Sequence, residues 1–378
     1  MIPIKYRLDS AAEEEYIQKS LSCMDNVRYY SDKLEELLRD MNQNGLSVAG
    51  KILNRAKRFV KAHSDSWCLC EWLVISYDEM TEIRNYLYDL IDSDLKTVNK
   101  EIKNTGHRVV EIRSYHDLRS RRKKEYAGDT GKEVKKILLA PIDYDDVYNA
   151  FKEFNVFYDK WSKERINYWI TEKTELKVCP YCNISYTYNR GEAVTAQLDH
   201  FYPKSEYPVL ALCFYNLVPC CPACNRIKLD DTVKMVSPYQ DGAFKDLRIT
   251  WSYRKDAGQD KCGTNGSLTT LEEMIEIKIE TPEEDERHNL DSMKIEEAYE
   301  QHRDYAGEII KKAMIYTNPE AQKLICAIGA SAEITPEEIE RFYLGNYLDE
   351  NDLKKRPLSK MTKDFYQEII RAKNRPSP

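Results

Sequence analysis

Two Cys-x-x-Cys pairs constrain this chain more than any other feature: Cys179 and Cys182 in VCPYC, and Cys221 and Cys224 in NLVPCCPACNRIK. Two thiolates three positions apart on a tight turn converge on one ion, and a second such turn completes a tetrahedral four-sulfur shell that suits zinc. Each turn also carries a proline, Pro180 and Pro222. A redox pair would need one exposed Cys-x-x-Cys beside a thioredoxin-like strand and helix, a pattern the surrounding sequence lacks. Cys220, next to Cys221, leaves the register ambiguous, but only Cys221 has the right spacing to Cys224. A closed four-thiolate site has no open coordination position, so its zinc holds turns and does not activate water. The chemistry is then expected between the pairs.

The chain has eleven cysteines, an odd number, and six of them crowd into 179–224. A secreted disulfide framework would be shorter and more evenly spaced, so clustered pairs favour metal ligation in a reducing compartment. Cys23, Cys68, Cys70, Cys262 and Cys326 are expected as buried thiols. The apolar runs at 67–75 and 136–142 fall short of the roughly twenty residues that span a bilayer. The first residues, MIPIKYRLDSAAEEE, lack a basic-then-apolar leader. A cytoplasmic protein with no membrane partner is the expectation.

The 378 residues exceed one ordinary core and predict two or three domains. Helical periodicity dominates 1–170: Leu34, Leu37, Leu38 and Met41 share one face, and Asn44-Gly45 ends that helix. Further helices are expected over 48–63 and 71–91. Val147, Phe151, Phe154, Tyr158 and Trp161 recur at helical spacing as a core stripe. Between these lies 104–136, low in apolar residues and expected as a basic linker or loop. The module 171–260 should carry the cysteines, with a strand over 246–254, and 261–378 should be helical, with a capped start at Thr335, Pro336 and Glu338. The fold class is mainly α with one small zinc-stabilised module, α+β overall.

A net charge of −7 argues against a protein that coats nucleic acid non-specifically, since phosphate binding is driven by Lys and Arg. The charge is uneven. Residues 105–136 hold ten Lys/Arg against five Asp/Glu, centred on RSRRKK with Arg121 and Arg122, whereas 272–308 hold four against fourteen. The basic run is a solvated face or a nucleic-acid contact.

Between the cysteine pairs, QLDHFYPKS fits a strand ending at Asp199-His200, followed by a loop that returns to a helix near Cys224. Taken alone, an Asp-His step fits a structural histidine as well as a base. Framed by zinc-pinned turns, a carboxylate and an amide can bind a hard cation while an imidazole titrating near neutrality takes a proton from water. Those are the parts phosphodiester hydrolysis needs.

At CPYC, LDHFYPKS, the Asn-Leu step at 216–217 and CPACNRIK, over about 178–240, the sequence resembles the HNH endonuclease family, in the subgroup with two zinc-binding knuckles. The resemblance implies a ββα-metal module. It makes Asp199 a ligand of the catalytic ion and His200 the general base. Asn216 is the residue that steadies the loop and orients the histidine, and Asn225 the second ligand. The family's final His is here Asn225, a neutral oxygen donor reasonable for magnesium and weaker for softer metals, which leaves magnesium and manganese both open. Lys204, Arg226 and Lys228 flank the site as candidate phosphate contacts, a placement that solubility explains equally well. With seven Lys/Arg against seven Asp/Glu over 172–234, the module cannot hold a long duplex by itself, so the grip must come from the basic run or a partner. The helical C-terminal part loosely resembles nucleases of bacterial anti-phage defence systems such as the Septu type, which implies an ATPase subunit as partner. The expected activity is hydrolysis of nucleic acid, DNA ahead of RNA. The alternative is a catalytically silent zinc-stabilised module that binds nucleic acid or protein.

Overall fold

In the computed structural model of the chain, residues 1–108, 110–163, 165–228, 235–254, 270–331 and 334–373 are described. The protein is mostly helical, at 59%, with small two-stranded sheets. Among the described residues no helix is long and apolar enough to cross a membrane. Two compact units divide the chain: a helical unit of 7–167 and 199–218, and a second unit of 1–6, 168–198 and 219–378.

The helical unit holds α1 (Ser10–Leu21), α2 (Val27–Gln43), α3 (Ser47–Ala56), α4 (Trp67–Leu73), α5 (Tyr77–Asn104), α6 (Tyr115–Arg122), α7 (Gly128–Leu139), α8 (Asp143–Phe151) and α9 (Phe154–Lys163). The expected face of α2 is the buried one, through Leu34, Leu38 and Met41, and Gly45 turns the chain out of it at φ +96°. A glycine accepts that left-handed conformation without strain. The region 71–91 breaks at Ser76, whose hydroxyl and Glu79 carboxylate form a reciprocal cap that restarts the chain as α5. Along α5, Met80, Ile83, Leu87, Ile91, Leu95, Val98 and Ile102 make one buried stripe. Of the aromatic stripe, Phe151, Phe154 and Trp161 are buried, and Trp161 meets Tyr16 edge-on at 5.4 Å.

Within 104–136, expected as a basic linker or loop, residues 115–122 and 128–136 are helical and belong to α6 and α7, and the Ser114 hydroxyl accepts from the Asp117 amide at 3.0 Å to cap α6. Three arginines in its last turn favour the negative end of the helix dipole.

The second unit holds α10 (Ile166–Thr174), which runs in from the helical unit, then α11 (Pro222–Lys228), α12 (Leu271–Met274), α13 (Glu284–Ser292), α14 (Ile295–Glu300), α15 (Arg303–Tyr316), α16 (Pro319–Ser331), α17 (Pro336–Leu344) and α18 (Ser359–Lys373). Strand β1 (Gln197–His200) and strand β2 (Leu217–Cys220) form a two-stranded sheet. Strand β3 (Arg248–Tyr253) pairs antiparallel with β4 (Ile275–Glu280), from Arg248 opposite Glu280 to Tyr253 opposite Ile275. The expected boundary at 260/261 and Cys262 lie in 255–269, outside the described residues, as does the side chain of Cys326. Cys23, Cys68 and Cys70 are buried thiols, and burial pushes Cys68 up to about 12 and Cys70 up to about 11.

Helix α17 starts at the expected cap, with the Thr335 hydroxyl and Glu338 carboxylate bonded reciprocally and Pro336 in the first turn. Helix α18 is anchored by Lys360, buried at 3% exposure, whose ammonium lies 2.6 Å from Asp364 Oδ2 and 2.7 Å from the Leu247 carbonyl. The Ile249 amide also donates to Asp364 at 2.9 Å, tying α18 to β3.

Candidate metal centre and histidine loop

Cys179, Cys182, Cys221 and Cys224 are all buried and gather in the second unit with every Sγ within 4.8 Å of the others. Four sulfurs about 2.3 Å from a zinc ion stand about 3.8 Å apart, and the Cys182–Cys221 separation is 4.0 Å. The spacing in sequence produces this locally. The Asn183 amide closes a turn onto the Cys179 carbonyl at 2.8 Å, and the Cys179 amide bonds to the Ser185 carbonyl at 2.9 Å. Backbone amides of Ile184 and Cys224 point at Cys182 Sγ and Cys221 Sγ at 3.4 and 3.5 Å, stabilising thiolate charge. Burial pushes Cys179 well above the ordinary thiol range, while hydrogen bonds from Cys179, Cys182 and Cys224 pull Cys221 far down. Hydrogen bonding from Cys179 pulls Cys182 down as well. A divalent ion would displace the thiol protons and be held by all four sulfurs as thiolates. These residues fit one metal ion such as zinc, and Cys220, although buried, is not among them.

Outer contacts fix the first knuckle. Asn183, at φ +54°, accepts on Oδ1 from the Lys360 amide at 3.0 Å and from the Ser359 hydroxyl at 3.2 Å, and donates to the Leu353 carbonyl at 3.1 Å. Tyr299 Oη donates to the Cys182 carbonyl at 2.8 Å. Such second contacts orient metal ligands and are part of the site.

Within the helical unit, Asp199 and His200 end β1, with Asp199 at 3% exposure. His200 Nε2 lies 3.1 Å from the Ala211 carbonyl oxygen, and Tyr158 meets the imidazole edge-on at 4.5 Å between centroids. A carbonyl can only accept, so in the neutral ring Nε2 carries the proton and Nδ1 the lone pair. Asn216, fully buried, bonds through its side chain to the Tyr202 amide at 2.7 Å, the Tyr202 carbonyl at 3.1 Å and the Leu210 carbonyl at 3.0 Å. It therefore ties the start of the loop, at Tyr202, and Leu210, the residue before Ala211, to the loop's end at Asn216.

The helices hold the same loop from outside. Trp72 Nε1 donates to the Val209 carbonyl at 2.8 Å and Tyr16 Oη to the Leu212 carbonyl at 2.9 Å, on either side of Ala211. Glu206 takes the Tyr115 and His116 amides at 2.7 and 2.9 Å, capping α6 with a carboxylate from the loop. Sequence reasoning assigned none of Tyr16, Trp72, Tyr158 and Glu206 to the site. Tyr158 was visible only as a core aromatic, and the other three carry no local motif.

The remaining candidates are placed as follows. Asn225 lies on α11 in the second unit and donates from Nδ2 to Gln197 Oε1 at 2.8 Å. Arg226 is exposed, whereas Lys228 is buried at 1% exposure and presents no ammonium to a surface phosphate. Lys204 stands 4.4 Å over the Tyr158 ring and 3.7 Å from Asp159. Arg121 and Arg122 are engaged within the fold: Arg121 bonds Asp117 at 2.9 Å and the Val110 carbonyl at 2.7 Å, and Arg122 grips Asp145 with two nitrogens at 2.6 and 2.9 Å. Comparison with protein-family models, with curated proteins and with solved structures finds no match.

Proposed function

We propose that the protein is a metal-dependent nuclease of the HNH type that hydrolyses phosphodiester bonds, with His200 as the general base. The observation that carries this reading is the constraint on His200: its Nε2 meets the Ala211 carbonyl on a loop that Asn216 pins at Tyr202 and at Leu210. With Nε2 bearing the proton, it falls to Nδ1 in this reading to take a proton from an attacking water. The resemblance alone assigns the catalytic ion to Asp199 and Asn225. A bound magnesium or manganese ion would supply positive charge for the scissile phosphate. Lys204, seated over Tyr158 on the same unit as His200, adds a cation for the phosphate oxygens. The zinc knuckles serve as frame.

DNA is the favoured substrate over RNA, and the loose resemblance of the C-terminal part supports a cytoplasmic anti-phage effector working with an ATPase subunit. A silent zinc-stabilised binding module is the second reading, favoured by the burial of Asp199. Plasmid DNA and tRNA incubated with zinc-loaded protein and magnesium or manganese separate the two. Cleavage by wild type that Asp199→Ala loses supports the nuclease. Equal cleavage by Asp199→Ala, or none by wild type with magnesium or manganese, supports the module.

A further inference from the structure

We propose that a cleft on the helical unit, between α6 and α8, takes the backbone phosphates of a nucleic acid. The cleft is open, about 540 Å³, and is lined by Arg119, Arg122, Lys123 and Lys152, with Asp145 and Asp146 as its only carboxylates. Four cations against two carboxylates understates its field. Asp145 is consumed by Arg122, by the Tyr115 hydroxyl at 2.6 Å and by the Ile142 amide at 3.0 Å, so this pair is electrically closed and forms the wall. Among the described lining residues, Asp146 is then the carboxylate left opposite Arg119, Lys123 and Lys152.

Their state suits a polyanion. Arg119 stacks on the Tyr148 ring at 4.1 Å and donates to its hydroxyl, which holds the guanidinium at the cleft before any ligand arrives. Little side-chain entropy is left to lose on binding, and the fork geometry matches phosphate oxygens. Lys123 and Lys152 are exposed, and Lys152 reaches the Asn149 side chain at 3.4 Å. An open cleft with cations along its rim suits a chain of phosphates and does not enclose a single small anion. The grip that the charge-balanced cysteine region lacks is thus assigned to Arg119, Lys123 and Lys152. Arg121 and Arg122, the residues a reading of RSRRKK selects first, are structural.

The inference rests on the nuclease reading for the identity of the polyanion but not for its test, which needs no cleavage. A fluorescein-labelled DNA duplex is titrated by anisotropy with full-length zinc-loaded His200→Ala, without added magnesium, over a range of salt concentrations. Combined Lys123→Glu and Lys152→Glu should weaken binding about tenfold, and removing two phosphate contacts should reduce the salt slope by about 1.8. Lys123→Gln with Lys152→Gln serves if the charge reversal disturbs zinc content. Unchanged affinity in both double variants, or no binding of duplex by the parent, overturns the proposal. So does displacement of the duplex by inorganic phosphate at equal phosphate concentration, since the site would then be one for small anions. Cleavage by the wild type, measured separately, decides the nuclease reading whatever the cleft does.

Discussion

At the scale of residues, the fold uses polar contacts to aim one imidazole. Asn216 could be read from its place in the motif, since its amide stabilises a local loop. Tyr16 and Trp72 could not, because they reach the same loop from 196 and 137 positions away. No periodicity or spacing encodes contacts of that range. Arg122 and Lys228 teach a related lesson: their positive charge is evident in sequence, but Arg122 is spent on Asp145 and Lys228 is buried. The first of these yields a pH signature. Burial alone would raise Asp145, but bonds from Arg122 and Tyr115 outweigh it and hold the carboxyl below its ordinary range. Its contribution to stability is therefore complete above about pH 4 and is lost as the pH falls through the lowered native value. Asp145→Asn should lower the urea midpoint at neutral pH and flatten its decline below about pH 4. Parallel curves for the two proteins would show that the pair is not formed.

At the scale of elements, those with strong apolar stripes or reciprocal caps were legible. Helix α2 buries the predicted face through Leu34, Leu38 and Met41, and α17 has its expected cap at Thr335. Helices α6 and α7 were not, because α6 buries only Tyr115 and Leu118 and its cap from Glu206 comes from a distant loop. A short helix held by such a carboxylate has no apolar stripe for a sequence reading to find. Helix α18 is fixed differently. Its Lys360–Asp364 pair is buried at both ends, with side-chain exposures of 4% and 1%, and anchors the helix to β3 as well as to the first knuckle through Asn183. Asp364→Asn leaves the ammonium without its counter-charge, and breaking a buried pair this way costs about 3–5 kcal/mol. Urea unfolding measures it, and a change under about 1 kcal/mol would mean that Lys360 finds another partner or sheds its proton.

At the scale of the whole molecule, the four cysteines lie in the second unit and the Asp199–Asn216 stretch in the helical unit, because the chain leaves the second unit after Leu198 and returns to it at Pro219. Linear order in the motif therefore conceals a division of labour: one unit frames a metal, the other aims a histidine. The central claim is that these make a nuclease in which zinc is structural and His200 takes the proton. The most direct test measures zinc content and magnesium- or manganese-dependent cleavage together on wild type, Cys179→Ser and His200→Ala. The account predicts about one zinc per chain in wild type and His200→Ala, lost in Cys179→Ser, with cleavage by wild type alone. His200→Ala that keeps its zinc and cuts as fast as wild type would contradict it.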